Sequence, residues 1–127
     1  MSEAVTRGVR VRVHAMYVPE RSAPHEGNYF FAYRIRIVNE GRETVQLIAR
    51  HWVITDAEQR VEEVRGEGVV GEQPVLRTGE AFEYTSFCPL TTPFGMMQGT
   101  YLMVTAGGEH FQAEIAPFTL AIPHTVN

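Results

Sequence analysis

Val9, Val11, Val13, Ala15 and Tyr17 alternate with Arg10, Arg12, His14 and Met16. A repeat of two scatters these apolar side chains around a helix but gathers them on one face of an extended chain. The stretch is therefore a strand with one face on a core and the other in water. The same period returns along the chain. Tyr29 to Asn39 sets Tyr29, Phe31, Tyr33, Ile35 and Ile37 against Arg34 and Arg36, and Phe82 to Cys88 sets Phe82, Tyr84 and Ser86 against Glu83, Thr85 and Phe87. Thr100 to Ala106 and Phe111 to Ile115 read as two more strands joined by a Gly107-Gly108 hairpin turn. Arg60 to Val64 reads as a short edge strand whose charges discourage further pairing. Val45 to Thr55 is apolar on both faces, which suits a strand central in its sheet or covered on both sides. No stretch carries the 3.6-residue apolar repeat of an amphipathic helix.

Turn residues divide these strands. Pro19 stops the first, and Pro19 to Asn28 reads as a loop. Asn39-Glu40-Gly41-Arg42 predicts a hairpin into the Val45 strand, and Asp56 to Gln59 and Arg77 to Glu80 predict further turns. Pro89 to Gly99 reads as a loop packed by its own apolar residues, and Pro117 to Asn127 as a tail docked through Phe118, Leu120 and Ile122. About seven strands arranged this way predict an all-β fold, an antiparallel β-sandwich of the immunoglobulin-like or fibronectin type III-like kind. Trp52 falls on the third strand, where such folds bury a tryptophan. Tyr101 falls early in a late strand, where a tyrosine corner belongs. The expectation is a single domain over residues 1–127, with an ordered core at about 8–122 and flexible termini.

A chain of 127 residues can bury one core without metal or disulfide support. The net charge is −4, made from eleven arginines, no lysine and a single aspartate, Asp56. That balance lacks the basic stripe of a nucleic-acid binder. Cys88 is the only cysteine, so there is no internal disulfide, and a reducing cytoplasm fits. No leader pattern opens the sequence, and no apolar run approaches the ~20 residues that span a bilayer. The expectation is a cytoplasmic protein with no membrane span.

Gly66-Glu67-Gly68-Val69-Val70-Gly71-Glu72-Gln73-Pro74 is the densest glycine cluster and spells G-x-G-x-x-G. The dinucleotide fingerprint needs a helix beginning at its last glycine, so that a pyrophosphate sits on the helix N-terminus. Here Pro74 and the Arg77–Glu80 turn leave no room for that helix. Glu62, Glu63, Glu67 and Glu72 also crowd the segment, against Arg65 and Arg77. The pattern reads instead as glycines that permit positive φ or a close approach between strands, with phosphate binding as the minor alternative. The five histidines, His14, His25, His51, His110 and His124, form no metal-ligand spacing. The three serines, Ser2, Ser22 and Ser86, lie in no nucleophile motif, and Cys88 has no neighbouring base in sequence. No catalytic residue, metal ligand or cofactor is assigned.

Longer runs carry a resemblance. Tyr17-Val18-Pro19-Glu20-Arg21-Ser22, Phe31 to Ile37, Val45 to Asp56, Val64 to Leu76, Phe82 to Ser86, Pro89 to Met97 and Gly99-Thr100-Tyr101 together make the chain resemble the ApaG family from about Gly8 to Leu120. Phe87-Cys88 departs from the small residue expected after Ser86. The resemblance implies a fibronectin type III-like sandwich in a bacterial protein associated with cobalt resistance and magnesium efflux. It also implies a domain that serves in eukaryotes as a protein-interaction module, and it names no catalytic residue.

The function expected from these readings is a non-catalytic module that binds a protein partner the sequence does not identify. Its surface would comprise the glycine segment, with Gly66, Gly68, Gly71, Glu72, Gln73 and Pro74, together with Arg50, His51 and Trp52, and the Pro89–Gly99 loop is a further candidate part of it. Nucleotide or pyrophosphate binding at the glycine loop is the first alternative, and direct divalent-cation sensing is the second. Exposed strand edges leave homodimerisation open.

Overall fold

Two antiparallel sheets face each other in the computed structural model, which describes residues 1–123. In chain order the strands are β1 (Ser2–Thr6), β2 (Val9–Tyr17), β3 (Tyr29–Asn39), β4 (Val45–Asp56), β5 (Val61–Glu67), β6 (Val75–Leu76), β7 (Ala81–Leu90), β8 (Phe94–Thr105) and β9 (His110–Ala121). One sheet runs β1-β2-β3-β7. The other runs β5-β4-β8-β9, with the short β6 also pairing to β4. The sandwich expected from the alternation is therefore present, with nine strands rather than about seven. The additional pair are β1, which lies before the expected start of the core at residue 8, and β6. Among the described residues no helix is long and apolar enough to cross a membrane.

The alternating faces meet as patterning requires. Val9, Val11 and Val13 of β2 and Phe31, Ile35 and Ile37 of β3 are buried against Leu47, Met103, Ile115 and Leu120 of the other sheet. Trp52 is buried among them, with ring centroids 5.4 Å from Tyr33 and 5.9 Å from Phe118. Full burial of side chains of this size stabilises by about 1.5–3 kcal/mol each before ordering costs are set against it.

Two bulges change which residues face inward. In β4 the pairing to β8 shifts between Leu47 and Ala49, leaving Ile48 as the extra residue. Before it Val45 and Leu47 point to the core; after it Arg50 and Trp52 do. The strand looked apolar on both faces because its parity switches midway. In β9 the pairing shifts between Ile115 and Phe118, so Ala113 and Ile115 are buried on one side of Pro117 and Phe118 and Leu120 on the other. The expected tail is thus the second half of a strand. A proline at a bulge leaves the ladder otherwise intact. Phe118 and Leu120 dock as expected, while Ile122 is largely exposed. The end of the proposed tail, residues 124–127, lies outside the described residues.

Three further expectations are corrected. Asn39–Arg42 does not close a hairpin, because β3 and β4 belong to different sheets. The buried Asn39 holds this crossing by donating from Nδ2 to the carbonyls of Glu43 (2.7 Å) and Leu76 (2.9 Å) and accepting from the Gly41 amide. Turn residues report a change of direction, not which sheet receives the chain. Pro89–Gly99 is not a loop either: only Thr91-Thr92-Pro93 separates β7 from β8. Pro89 is tolerated because β7 is an edge strand, where one side of the ladder is unused. Tyr101 is no tyrosine corner. It lies within β8, fully buried, and its hydroxyl bonds to that of Tyr84 rather than to backbone.

Candidate functional site: the open edge of the sandwich

The two sides of the sandwich are unlike. Along one, β1 meets β9, where the Ser2 hydroxyl donates to the Ala116 carbonyl (2.9 Å) and the Glu114 amide donates to the Thr6 hydroxyl (3.0 Å). Along the other, β5 and β7 end their sheets, and among the described residues no hydrogen bond joins them. A cleft opens there. Its two cavities measure about 340 and 290 Å³ and share Tyr33, Arg50, Trp52 and Ser86 as walls. Glu67, Val70 and Gly71 border the first, and Glu62, Phe87 and Pro89 the second.

Arg50 stands between them. The bulge at Ile48 turns it inward, and its cross-strand partner in β5 is Gly66. A β-carbon at Gly66 would come within 2.8 Å of Cζ, Nη1 and Nη2 of Arg50, so the guanidinium occupies the space a side chain would fill. Nη1 donates to the carbonyls of Glu67 (3.0 Å) and Gly68 (2.9 Å), which ties the strand end to the glycine segment. Among the described residues no carboxylate forms an ion pair with Arg50, although Glu62 lies on the cleft wall; Glu67 meets Arg50 through its backbone carbonyl.

The glycine segment is a folded turn. Val69 and Glu72 exchange two backbone hydrogen bonds (2.8 and 2.9 Å) around Val70 and Gly71, whose φ angles are 44° and 82°. Positive φ at both central residues makes this a type I′ turn. Gly68 has φ 63°, and a β-carbon there would lie 2.3 Å from the Glu72 carbonyl oxygen. The Gly68 amide and Gln73 Nε2 both donate to the carbonyl of Ile48 (2.8 and 2.9 Å), and the Leu47 amide donates to Pro74. The segment thereby seals the β4 bulge. The amides of Gly68, Val69 and Glu72 all donate within the protein, whereas a phosphate cradle presents such amides to its ligand.

Hydroxyl groups line the cleft floor. Burial pushes the Tyr33 phenol up, while a hydrogen bond with Ser86 and the charge of Arg50 draw it partly back. Burial also raises the Tyr84 and Tyr101 phenols, so all three remain protonated donors at neutral pH. Cys88, on the wall of the second cavity, is pushed up to about 11 by burial and then by the negative charge of Glu62.

The residues expected to form one surface therefore divide. Arg50, Trp52, Gly66, Gly68 and Gly71 converge on the cleft or the turn above it, and Gln73 and Pro74 brace that turn. His51 lies outside the cleft: strand alternation places it on the outer face, where Nε2 lies 2.8 Å from Glu63 Oε1 and where it lines a separate cavity of about 380 Å³ that Arg50 and Gly66 also border. Glu72 is exposed, and its part in the turn is through its backbone. Tyr33, Tyr84 and Ser86 were absent from the expected surface. One signal for them was legible: Tyr84 and Ser86 put hydroxyls on the inward face of an alternating strand. Among the described residues no group of three or more His, Cys, Asp or Glu is placed to hold a metal ion.

Known proteins share both this sequence and this fold. A family profile described as the ApaG domain matches residues 19–105. Protein ApaG of Rhodospirillum centenum is 59% identical over 124 residues, covering 98% of this chain and 95% of that one. Protein ApaG of Anaeromyxobacter dehalogenans is 54% identical over the whole of both chains. The crystal structure of the putative ApaA protein from Bordetella pertussis superposes with a TM-score of 0.90 at 56% identity, covering 92% of this chain and 95% of that one. On the profile match and on these full-length identities, the chain belongs to the ApaG domain family.

Proposed function

We propose that this ApaG-domain protein is a non-catalytic binding module of the cytoplasm that captures a partner protein at the open edge between β5 and β7. The observation that carries this reading is Arg50, an inward guanidinium with no carboxylate partner among the described residues, placed in a cleft between two unpaired strand edges. Unpaired edges offer backbone groups to an extended segment. The charges of β5, Glu62, Glu63, Arg65 and Glu67, oppose indiscriminate pairing, so recognition has to run through the cleft. The link to cobalt resistance and magnesium efflux would pass through that partner.

Nucleotide binding at the glycine turn has less support, because three of its amides are already bonded and the nearest side chains include Glu67 and Glu72. The test is capture from bacterial lysate by immobilised protein, comparing wild type with Arg50→Ala and Val70→Glu in the cleft and His51→Ala on the outer face. Loss of one partner in both cleft variants, with retention in His51→Ala, supports the reading. Equal recovery by all four proteins sinks it.

A further inference from the structure

We infer that Arg50 is the receptor for one acidic side chain, an aspartate or glutamate carried within an extended peptide segment, with uncharged or basic residues on either side of it. The inference rests on the binding-module reading and adds the chemistry recognised. Three observations carry it.

Arg50 uses only Nη1 on the protein, for the Glu67 and Gly68 carbonyls. Nε and Nη2 remain for a ligand, and a guanidinium held on one side by backbone is set to bind a planar carboxylate on the other. The cavities lie on both sides of Arg50 and share it as a wall, so a chain crossing the cleft fills both and presents a central side chain to the guanidinium. A terminal carboxylate would leave one cavity empty. Finally, Glu62, which pairs with Ile54 on the inward parity of β5, lines the second cavity without pairing to Arg50. One guanidinium, unpaired among the described residues, can hold a single carboxylate, and the resident Glu62 opposes any further negative charge. It disfavours a phosphate dianion or an acidic run, and it repels acidic neighbours of the bound residue.

The test uses the full chain labelled with ¹⁵N and four probes: acetyl-Lys-Val-Glu-Val-Lys-amide, its glutamine-centred analogue, that analogue with a free C-terminal carboxylate, and inorganic phosphate. The glutamate peptide is expected to shift the Arg50 Nε–H signal and the Val69 to Gly71 amides, with the glutamine analogue at least about tenfold weaker. Arg50→Gln should abolish the shifts. Because that change also loosens the turn, Glu62→Gln serves as a second test: it leaves the Arg50 bonds to backbone in place and should tighten the glutamate peptide. Equal binding of the glutamine analogue overturns the inference, as do stronger shifts with the terminal carboxylate or phosphate, or no shift at millimolar peptide. If the peptide fails while cleft-dependent partner capture persists, the carboxylate assignment falls and the binding-module reading stands.

Discussion

The guanidinium of Arg50 lies over the α-carbon of Gly66, in the space that any larger residue at 66 would need for its β-carbon. The first glycine of the G-x-G-x-x-G pattern thus serves an arginine on the neighbouring strand rather than a phosphate. Gly66→Ala should displace Arg50 and break its bonds to Glu67 and Gly68, costing about 1–2 kcal/mol. In an Arg50→Ala background the same change should be close to neutral, since the obstructing atoms are gone. Urea denaturation of the four proteins of this double-mutant cycle measures the coupling. Additive effects would show that Gly66 is needed for another reason.

Val70 and Gly68 make an opposed pair of predictions within the turn. Val70 is a β-branched residue at φ 44°, 54% exposed, at a type I′ position that favours asparagine. Val70→Asn should stabilise by roughly 0.5–1 kcal/mol, because little burial is lost and strain is relieved. Gly68→Ala should destabilise by about 2 kcal/mol or more, since a methyl there meets the Glu72 carbonyl. Thermal midpoints that move the same way would contradict the assignment of strain. Val70 also borders the cleft, so the stabilised variant should bind partner more weakly.

The fold was legible wherever one residue in two met the core, and it blurred where that count was broken. Val9 to Val13 and Tyr29 to Ile37 carried their strands openly. Ile48 and Pro117 each inserted one residue, which made β4 look two-sided and made the end of β9 look like a tail. The cleft was legible only in part for a related reason. Arg50 pairs with Gly66 itself and Trp52 lies two residues further along β4, whereas Tyr33, Tyr84 and Ser86 reach the cleft from the opposite sheet, by a sheet crossing that turn residues do not encode.

Asn39 governs one such crossing. Asn39→Ala removes both donors to Glu43 and Leu76 and strands the Leu76 carbonyl in a buried site. The expected loss is about 2–3 kcal/mol by urea denaturation, while Asn39→Asp should fare no better because it brings a charge and no donor. A loss within experimental error in either variant would show that the crossing is held by packing alone.

Tyr84 and Tyr101 set an alkaline limit. Burial raises both phenols above the ordinary value of 10.0, so on unfolding they become easier to ionise. Their contribution is complete below pH 10 and is lost as pH rises, because the unfolded chain then releases protons that the folded one retains. The denaturation midpoint should fall with pH above 10 and fall less steeply in a Tyr84→Phe/Tyr101→Phe protein. Tyr84→Phe alone should cost about 1–3 kcal/mol near neutral pH, since it leaves the Tyr101 hydroxyl without its partner.

Cys88 tests the cleft from within. With its thiol pushed up to about 11, roughly one molecule in a thousand carries the reactive thiolate at pH 8. Labelling by Ellman's reagent should therefore be slow in the native protein and fast in denaturant, with the native rate reporting local opening of the β7 edge. Glu62→Gln removes the charge that adds to the effect of burial and should speed native labelling by lowering the thiol pKa. A ligand that fills the second cavity should slow it, because Cys88 forms part of that wall. Rapid native labelling, unchanged by Glu62→Gln, would show that the cleft is open to the core and not walled as the structure has it.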